Sequence, residues 1–337
     1  MSDNKIQKRV FITWDDHGSR ARSLAHHFHA KNIYVQSLPI KSKLLAFFKY
    51  IFNTRETWRI LRKERPEIVF IVNPPVFAVL VVGIYRIFHR CAFIVDTHCG
   101  AFRGRWALFL WLYRFLSKRA LINILHNQPL KERVAAWGAP TINLGDIFYR
   151  VQTDRIFHFR KRFNVVFVST YAFDEPLKEV LEAARRLPSL DFYVTGSLAR
   201  APKILVQTAS ENVIFTDYLP DDKFNALLKG SDIVISLTKN DLTMQNGAYE
   251  ALALGRPLIT SSWPVLKRLF YKGTFCVDNN PENLIEAISS IQREHPRYLK
   301  EIEELRNEFQ SSWEEKYSKL SQVLDHLTSQ KNDIRDY

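Results

Sequence analysis

The sequence predicts an α/β fold built as two doubly wound units in tandem. Three observations carry this. Short apolar runs alternate with segments of helical spacing from residue 10 onward. A charged stretch at 147–162 interrupts the alternation, which restarts at Val165. The length of 337 residues is about two domains at roughly 150 residues each. With 46% apolar residues, both units can bury a full core. The expected boundaries are 1–150, 163–306, and a C-terminal helix over 307–337 that returns towards the first unit.

In the first unit, Val10–Trp14 reads as a buried strand. Gly18-Ser19-Arg20 lies in the loop after it, and a helix follows over Arg22–Ala30 with Leu24, Ala25 and Phe28 inward. Ile33–Val35 completes a βαβ opening. Ligands of doubly wound sheets bind beyond the C-terminal strand ends, so Gly18, Ser19 and Arg20 sit where a substrate is expected; a simple turn fits equally well. Ile68–Val72 is a buried strand, Asn73-Pro74-Pro75 a turn, Val76–His89 a helix, and Ala92–Val95 another strand. That strand ends in Asp96 and His98, at the position used for chemistry, although a histidine there also serves loop packing. Leu121–Leu125, ending at His126-Asn127, and Ile142–Gly145 read as the last two strands.

In the second unit, Val165–Val168 is a strand followed by the loop Ser169–Pro176 and a helix over Leu177–Arg186. Phe192–Gly196 and Val213–Phe215 are strands, Asp221–Lys229 a helix and Ile233–Leu237 a strand. The stretch 241–263 then reads as loop, helix and strand. Asn246-Gly247 opens the helix, Gly255 stops it, and Pro257 leads into Leu258–Thr260. A helix N-terminus exposes unpaired N–H groups and positive partial charge, which suits a phosphate. Glu250, about one turn in, is too deep to cap the helix but close enough to reach a ribose on a bound diphosphate. A solvated glutamate on a plain strand–loop–helix–strand unit fits the same spacing. Residues 281–330 are expected to be helical.

Charge is unevenly spread. Residues 1–150 carry 24 Lys and Arg against 9 Asp and Glu, and residues 151–337 carry 24 against 26. The first half therefore meets an anionic partner. Residues 43–65 mix aromatics with Lys43, Lys49, Arg55, Arg59, Arg62, Lys63 and Arg65. Phe102–Phe115, with Trp106, Trp111 and Tyr113, repeats the pattern. Basic-rimmed apolar helices of this kind lie in membrane interfaces, although a core helix with a solvated flank looks alike. The longest apolar run, 76–85, is too short to span a bilayer. The N-terminal stretch lacks the apolar run of a signal peptide. No nucleic-acid module is recognisable. Three cysteines without CxxC spacing argue for a reducing compartment and against structural zinc.

The second half resembles the nucleotide-binding domain of retaining family-4 (group 1) glycosyltransferases. The resemblance rests on Gly196 at a strand end, Asn212–Phe215, Ser231–Val234, Glu250-Ala-Leu-Ala-Leu-Gly-Arg-Pro257, Asn283–Ile288 and Ser312-Trp313. More loosely, Gly18-Ser19-Arg20, Asn73-Pro74-Pro75, Asp96-x-His98 and Ser169–Glu175 resemble the β-1,4-mannosyltransferases that extend chitobiosyl-diphosphodolichol.

The resemblance implies the GT-B architecture, two Rossmann-like domains facing a cleft. It implies transfer of a sugar from a nucleotide-diphosphate donor to a lipid-linked or glycan acceptor. The enzyme would be a hexosyltransferase at the cytoplasmic membrane face, using no metal and no cofactor beyond the donor. Donor-side residues would be Ser169, Gly196, Tyr218, Thr243, Gln245, Asn246, Gly247 and Glu250. Gly18, Ser19 and Arg20 would face the acceptor. His98 would contact the donor sugar, with Asp96 orienting it. The chain departs from the family twice. Leu242 stands where the first glutamate of the E-x7-E motif falls, with Asp241 one position away. The loop 169–176 also lacks the basic pair that grips the diphosphate, leaving Lys178 and Arg200 as substitutes. A catalytically weakened homologue, serving as a binding or scaffold subunit, is the alternative. A different enzyme of the same architecture, such as a sugar-nucleotide epimerase or a glycogen-phosphorylase-like protein, is a further one.

Overall fold

The computed structural model describes residues 8–14, 19–36, 46–145, 155–160 and 163–333. The chain divides into two units, Met1–Ile147 with Trp313–Tyr337, and Phe148–Ser312.

The first unit runs β1 (Arg9–Trp14), α1 (Ser19–His27), β2 (Lys31–Val35), α2 (Ala46–Glu64), β3 (Ile68–Asn73), α3 (Val76–Phe88), β4 (Ala92–Thr97), α4 (Leu110–Ser117), β5 (Ile122–Leu125), α5 (Gln128–Ala135) and β6 (Thr141–Asn143). The sheet order is β2-β1-β3-β4-β5-β6, parallel throughout. Helices cover both faces of such a sheet, which is why its strands are runs of Val, Ile and Phe rather than alternating sequence. Right-handed crossovers put α1 on one face and α2, α3 and α4 on the other. Accordingly α3 packs against both α2 and α4. On the α1 face, Leu24 and Phe28 meet Phe11, Phe70 and Ile94.

The second unit runs β7 (Asn164–Phe167), α6 (Leu177–Arg186), β8 (Asp191–Val194), α7 (Lys203–Gln207), β9 (Val213–Phe215), α8 (Asp221–Gly230), β10 (Ile233–Ser236), α9 (Asn246–Ala253), β11 (Leu258–Ser261), α10 (Pro264–Leu269), β12 (Thr274–Val277), α11 (Pro281–Arg293) and α12 (His295–Asp333). Its parallel sheet is ordered β12-β11-β10-β7-β8-β9. The winding direction reverses between β7 and β10, and the crevice beyond their C-terminal ends is the ligand position of such sheets. The final helix, α12, begins in this unit, and its residues from Trp313 belong to the first.

One expectation is corrected. The stretch 102–115 is not one amphipathic helix. It forms 3₁₀ turns at Cys99–Phe102 and Gly104–Phe109, and only then α4. Arg103 is extended and Gly104 has φ +53°, a left-handed conformation that interrupts any helix. The tail is helical as expected, as two helices that meet at Glu294, with Pro296 in the first turn of α12. The sequence reading also omits α5, α7, α10 and β12. Residues 43–45, at the start of the expected basic helix, lie outside the described residues. No helix among the described residues is long and apolar enough to cross a membrane.

Candidate functional site

In the second unit the loops after β7, β8 and β10 come together at the switch point. The first turn of α9 sits directly on the strand ends. A Cβ on Gly247 would lie 2.8 Å from Val168 Cβ and 2.9 Å from Ser236 Oγ, so only glycine lets the helix start this close. Gln245 precedes α9 but does not cap it. Its side chain turns back on β10 instead, accepting from Ser236 Oγ at 3.2 Å and donating to the Leu237 carbonyl. The Ala248 N–H is taken by the Gln245 carbonyl at 3.1 Å, so with no side-chain cap the N–H groups of Asn246 and Gly247 are the ones offered to an anion. Asn246, Gly247 and Glu250 are thus on one short helix, Glu250 half-buried on its second turn. Thr243 is half-buried in the loop before it.

Glu175 shapes the loop after β7. Its carboxylate accepts from Ser169 Oγ (2.6 Å), Thr170 Oγ1 (2.8 Å) and Thr170 N (3.0 Å). The Ser169 hydroxyl also accepts from Tyr171 N at 3.0 Å, so it is engaged within its own loop. Asp174 ties this loop to the one after β10, accepting from Thr238 Oγ1 (2.9 Å) and Asn240 Nδ2 (2.8 Å). On that tie sits Lys239, whose N–H donates to the Asp174 carbonyl at 2.7 Å and whose ammonium is 3.4 Å from Glu179. Gly196 has φ +107°, and a Cβ there would lie 2.5 Å from the Ser169 carbonyl oxygen. The Tyr171 ring packs beside Gly196; its hydroxyl is buried and unpartnered, and burial, with Asp217 and Glu175 nearby, pushes the phenol up to about 12. Tyr218 is exposed, its N–H donating to Asp217 Oδ1 at 2.8 Å. Lys178 and Arg200 are both exposed, on α6 and in the turn after β8.

In the first unit, β4 delivers Asp96 and His98 to the C-terminal edge of the sheet. Asp96 is buried, and Arg20 of α1 grips its carboxylate with Nε at 3.1 and 3.2 Å and Nη2 at 2.9 Å. The same Nη2 donates to the Leu144 carbonyl at 3.0 Å. His98 Nε2 lies 3.3 Å from Asp96 Oδ2, and His126 Nε2 lies 3.8 Å from Oδ1. The two imidazoles meet edge-on at 4.3 Å. Burial alone would raise the Asp96 carboxyl, but the Arg20 guanidinium, helped by the histidines, outweighs it and holds the pKa well below the carboxylate range. Burial, then the Arg20 charge and His98, push the His126 imidazole well below its ordinary value, so it is neutral at pH 7. Arg20, on the acceptor side by sequence position, is therefore buried against Asp96. Ser19 opens α1, and Gly18 lies outside the described residues.

The nitrogen and oxygen atoms of Asp96, His98 and His126 all lie within 4.8 Å of one another, a spacing that can hold a metal ion. Arg20 argues against one, because its guanidinium occupies both carboxylate oxygens and repels a second cation. The donor set fits an ion-pair network holding His98 better than a metal centre.

Residues 174–319 match the family model described as glycosyl transferase-like. No curated protein sequence matches the chain. Sucrose-phosphate synthase from Thermosynechococcus elongatus is similar in structure, with a TM-score of 0.76 at 12% identity, over 96% of this chain and 100% of that one. HepE from Anabaena, solved with UDP and glucose, gives 0.70 at 12% identity, over 95% and 99%. A putative UDP-N-acetylglucosamine 2-epimerase from Listeria monocytogenes gives 0.62 at 15% identity, over 88% and 91%. At such identities the likeness carries the fold, the GT-B pairing of two Rossmann-like units. The matched segment begins at Asp174, the residue that joins the two loops at the switch point.

Sequence reasoning missed Lys239, Glu175 and His126 as site residues. Lys239 lies three residues beyond the end of a buried strand, which is a usable signal. The role of Glu175 depends on a loop turning back on itself, and no spacing rule reports that.

Proposed function

We propose that the chain is a glycosyltransferase that moves a hexose from a nucleotide-diphosphate donor to a lipid-linked or glycan acceptor at the cytoplasmic face of a membrane. The observation that carries this reading is the uncapped start of α9, seated through Gly247 on Val168 and Ser236 at the switch point of the second unit. The donor diphosphate lies against the N–H groups near Gln245, Asn246 and Gly247, with the Lys239 ammonium in place of the missing basic pair. Glu250 accepts from the ribose hydroxyls. Gly196, Tyr171 and Tyr218 border the base.

As the sugar leaves, its anomeric carbon becomes positive and the diphosphate takes the negative charge. Fixed N–H donors stabilise that charge without reorganising, and Lys239 adds to them by turning from Glu179 to the diphosphate. In the first unit His98, oriented by Asp96, contacts the reacting sugar, and Arg20 keeps Asp96 ionised. The transfer retains anomeric configuration, as the family-4 resemblance implies, and takes no cofactor beyond the donor. The basic, apolar-studded layer of α2, α3 and α4 supports docking on an anionic bilayer.

Calorimetric titration of UDP, GDP, ADP and CMP tests the donor site. One nucleotide is expected to bind. Glu250→Ala and Lys239→Ala should each weaken it by about 1.5–3 kcal/mol, the range for hydrogen bonds to charged groups. Leu242 favours a second reading, a weakened homologue acting as a scaffold. Absence of binding by all four nucleotides would put that reading first.

A further inference from the structure

The C-terminal turns of α2 and α3 run out at the N-terminal edge of the first unit's sheet, the end opposite Asp96 and His98. Between them is a cavity of about 870 Å³. Its floor is aromatic. Tyr85 stacks on His89 with centroids 4.0 Å apart, and Trp58 meets both edge-on at 5.6 and 6.4 Å. Its rim is cationic, made of Arg55, Arg59, Arg62, Lys63, Arg65 and Arg90. Among the described residues no carboxylate lines it. Glu56, one turn back on α2, is 3.4 Å from Arg59, which stays largely exposed.

Cations favour the last turn of a helix, which accounts for Arg62 and Lys63. That effect fades within a turn, so it does not account for Arg55 and Arg59 further back on α2. Nor does it explain Arg90, from another segment, or the aromatic floor. A cluster of cations from two segments around one cavity raises a positive potential that draws an anion into it. Beside the cavity, Ile87 and Phe88 of α3 are 77% and 70% exposed. Exposed apolar side chains next to clustered cations match a lipid interface. A phosphodiester chain would gain nothing from Ile87 and Phe88.

We propose that this cavity is a headgroup site for an anionic phospholipid, with Ile87 and Phe88 entering the bilayer interface beside it. The site rests on the membrane-docking part of the function proposed above and is separate from the donor and sugar-facing residues.

Co-sedimentation of the full chain with vesicles tests it, using phosphatidylcholine alone and phosphatidylcholine with roughly one-third phosphatidylglycerol. The wild type is expected to bind the second and not the first. Arg59→Glu with Arg62→Glu should lose binding about tenfold or more, whereas the charge-matched pair Arg114→Glu on α4 with Lys118→Glu at its C-terminal cap, outside the cavity, should lose less than about threefold. Equal losses would mean a diffuse basic face, overturning the cavity while leaving membrane docking intact. Full binding by the cavity variant would also overturn it. No binding of the wild type to either vesicle would overturn both the site and the docking. Calorimetry with glycerol phosphate and a gel shift with single-stranded RNA separate other anions. Binding of either through Arg59 and Arg62, without vesicle binding, would reassign the cavity and overturn the lipid. If the glutamate variant melts early, the glutamine pair at 59 and 62 is read in its place.

Discussion

At the scale of single residues, the decisive contacts join positions far apart in the chain. Arg20 and Asp96 are 76 residues apart, and their pairing sets the charge of everything near them. Sequence placed each at a strand end but showed neither the pairing nor the burial of His126. His126 makes a testable pH signature. Its imidazole is held neutral in the folded protein well below the ordinary 6.5, whereas the unfolded chain protonates near that value. Its contribution is therefore fully present above about pH 6.5 and lost as pH falls towards the folded pKa, by up to ~1.4 kcal/mol per pH unit. His126→Gln should flatten that part of the acid limb in urea melts recorded from pH 7 to pH 4. An unchanged slope would mean that His126 takes up its proton in the fold as readily as in the unfolded chain.

At the scale of elements, α9 was the most legible. Its turn pair, helical spacing, glycine stop and following strand are all local signals, and the structure gives the helix as Asn246–Ala253. The reason for Gly247 was not legible, since it lies in Val168, just beyond β7, and Ser236, at the end of β10. Gly247→Ala sets two effects against each other. Alanine favours a helix by up to about 1 kcal/mol, but its methyl would press on Val168 Cβ, which belongs to a strand end and cannot swing away. Overpacking at about 1–3 kcal/mol wins. The melting temperature should drop by several degrees and nucleotide affinity should fall with it; an unchanged or raised melting temperature would show that α9 has room to shift. The stretch 102–115 was misread because composition alone suggested an amphipathic helix, while one left-handed glycine divides it.

At the scale of the whole molecule, the alternation of strands and helices was enough to give two doubly wound units, because parallel sheets announce themselves through continuous apolar runs. The basic cavity was not readable, since the ends of two helices build it. The tail contributes to the first unit's core. Leu320 and Leu324 are buried with Leu24 and Phe28, and the Tyr317 hydroxyl donates to the His27 carbonyl at 2.7 Å. Leu320→Ala with Leu324→Ala should destabilise that unit by about 4 kcal/mol or more. Hydrogen exchange should quicken in β1 and β3 and stay unchanged in β7 and β10; equal quickening in both sheets would show that the two units melt together.

That shared tail also orders events during synthesis. The first unit leaves the ribosome early, but the helix that covers Phe28 is made after the whole second unit. Until then the α1 face waits with part of its apolar surface uncovered, and a chain stopped short of Trp313 would hold a complete second unit beside a first one open to aggregation and proteolysis.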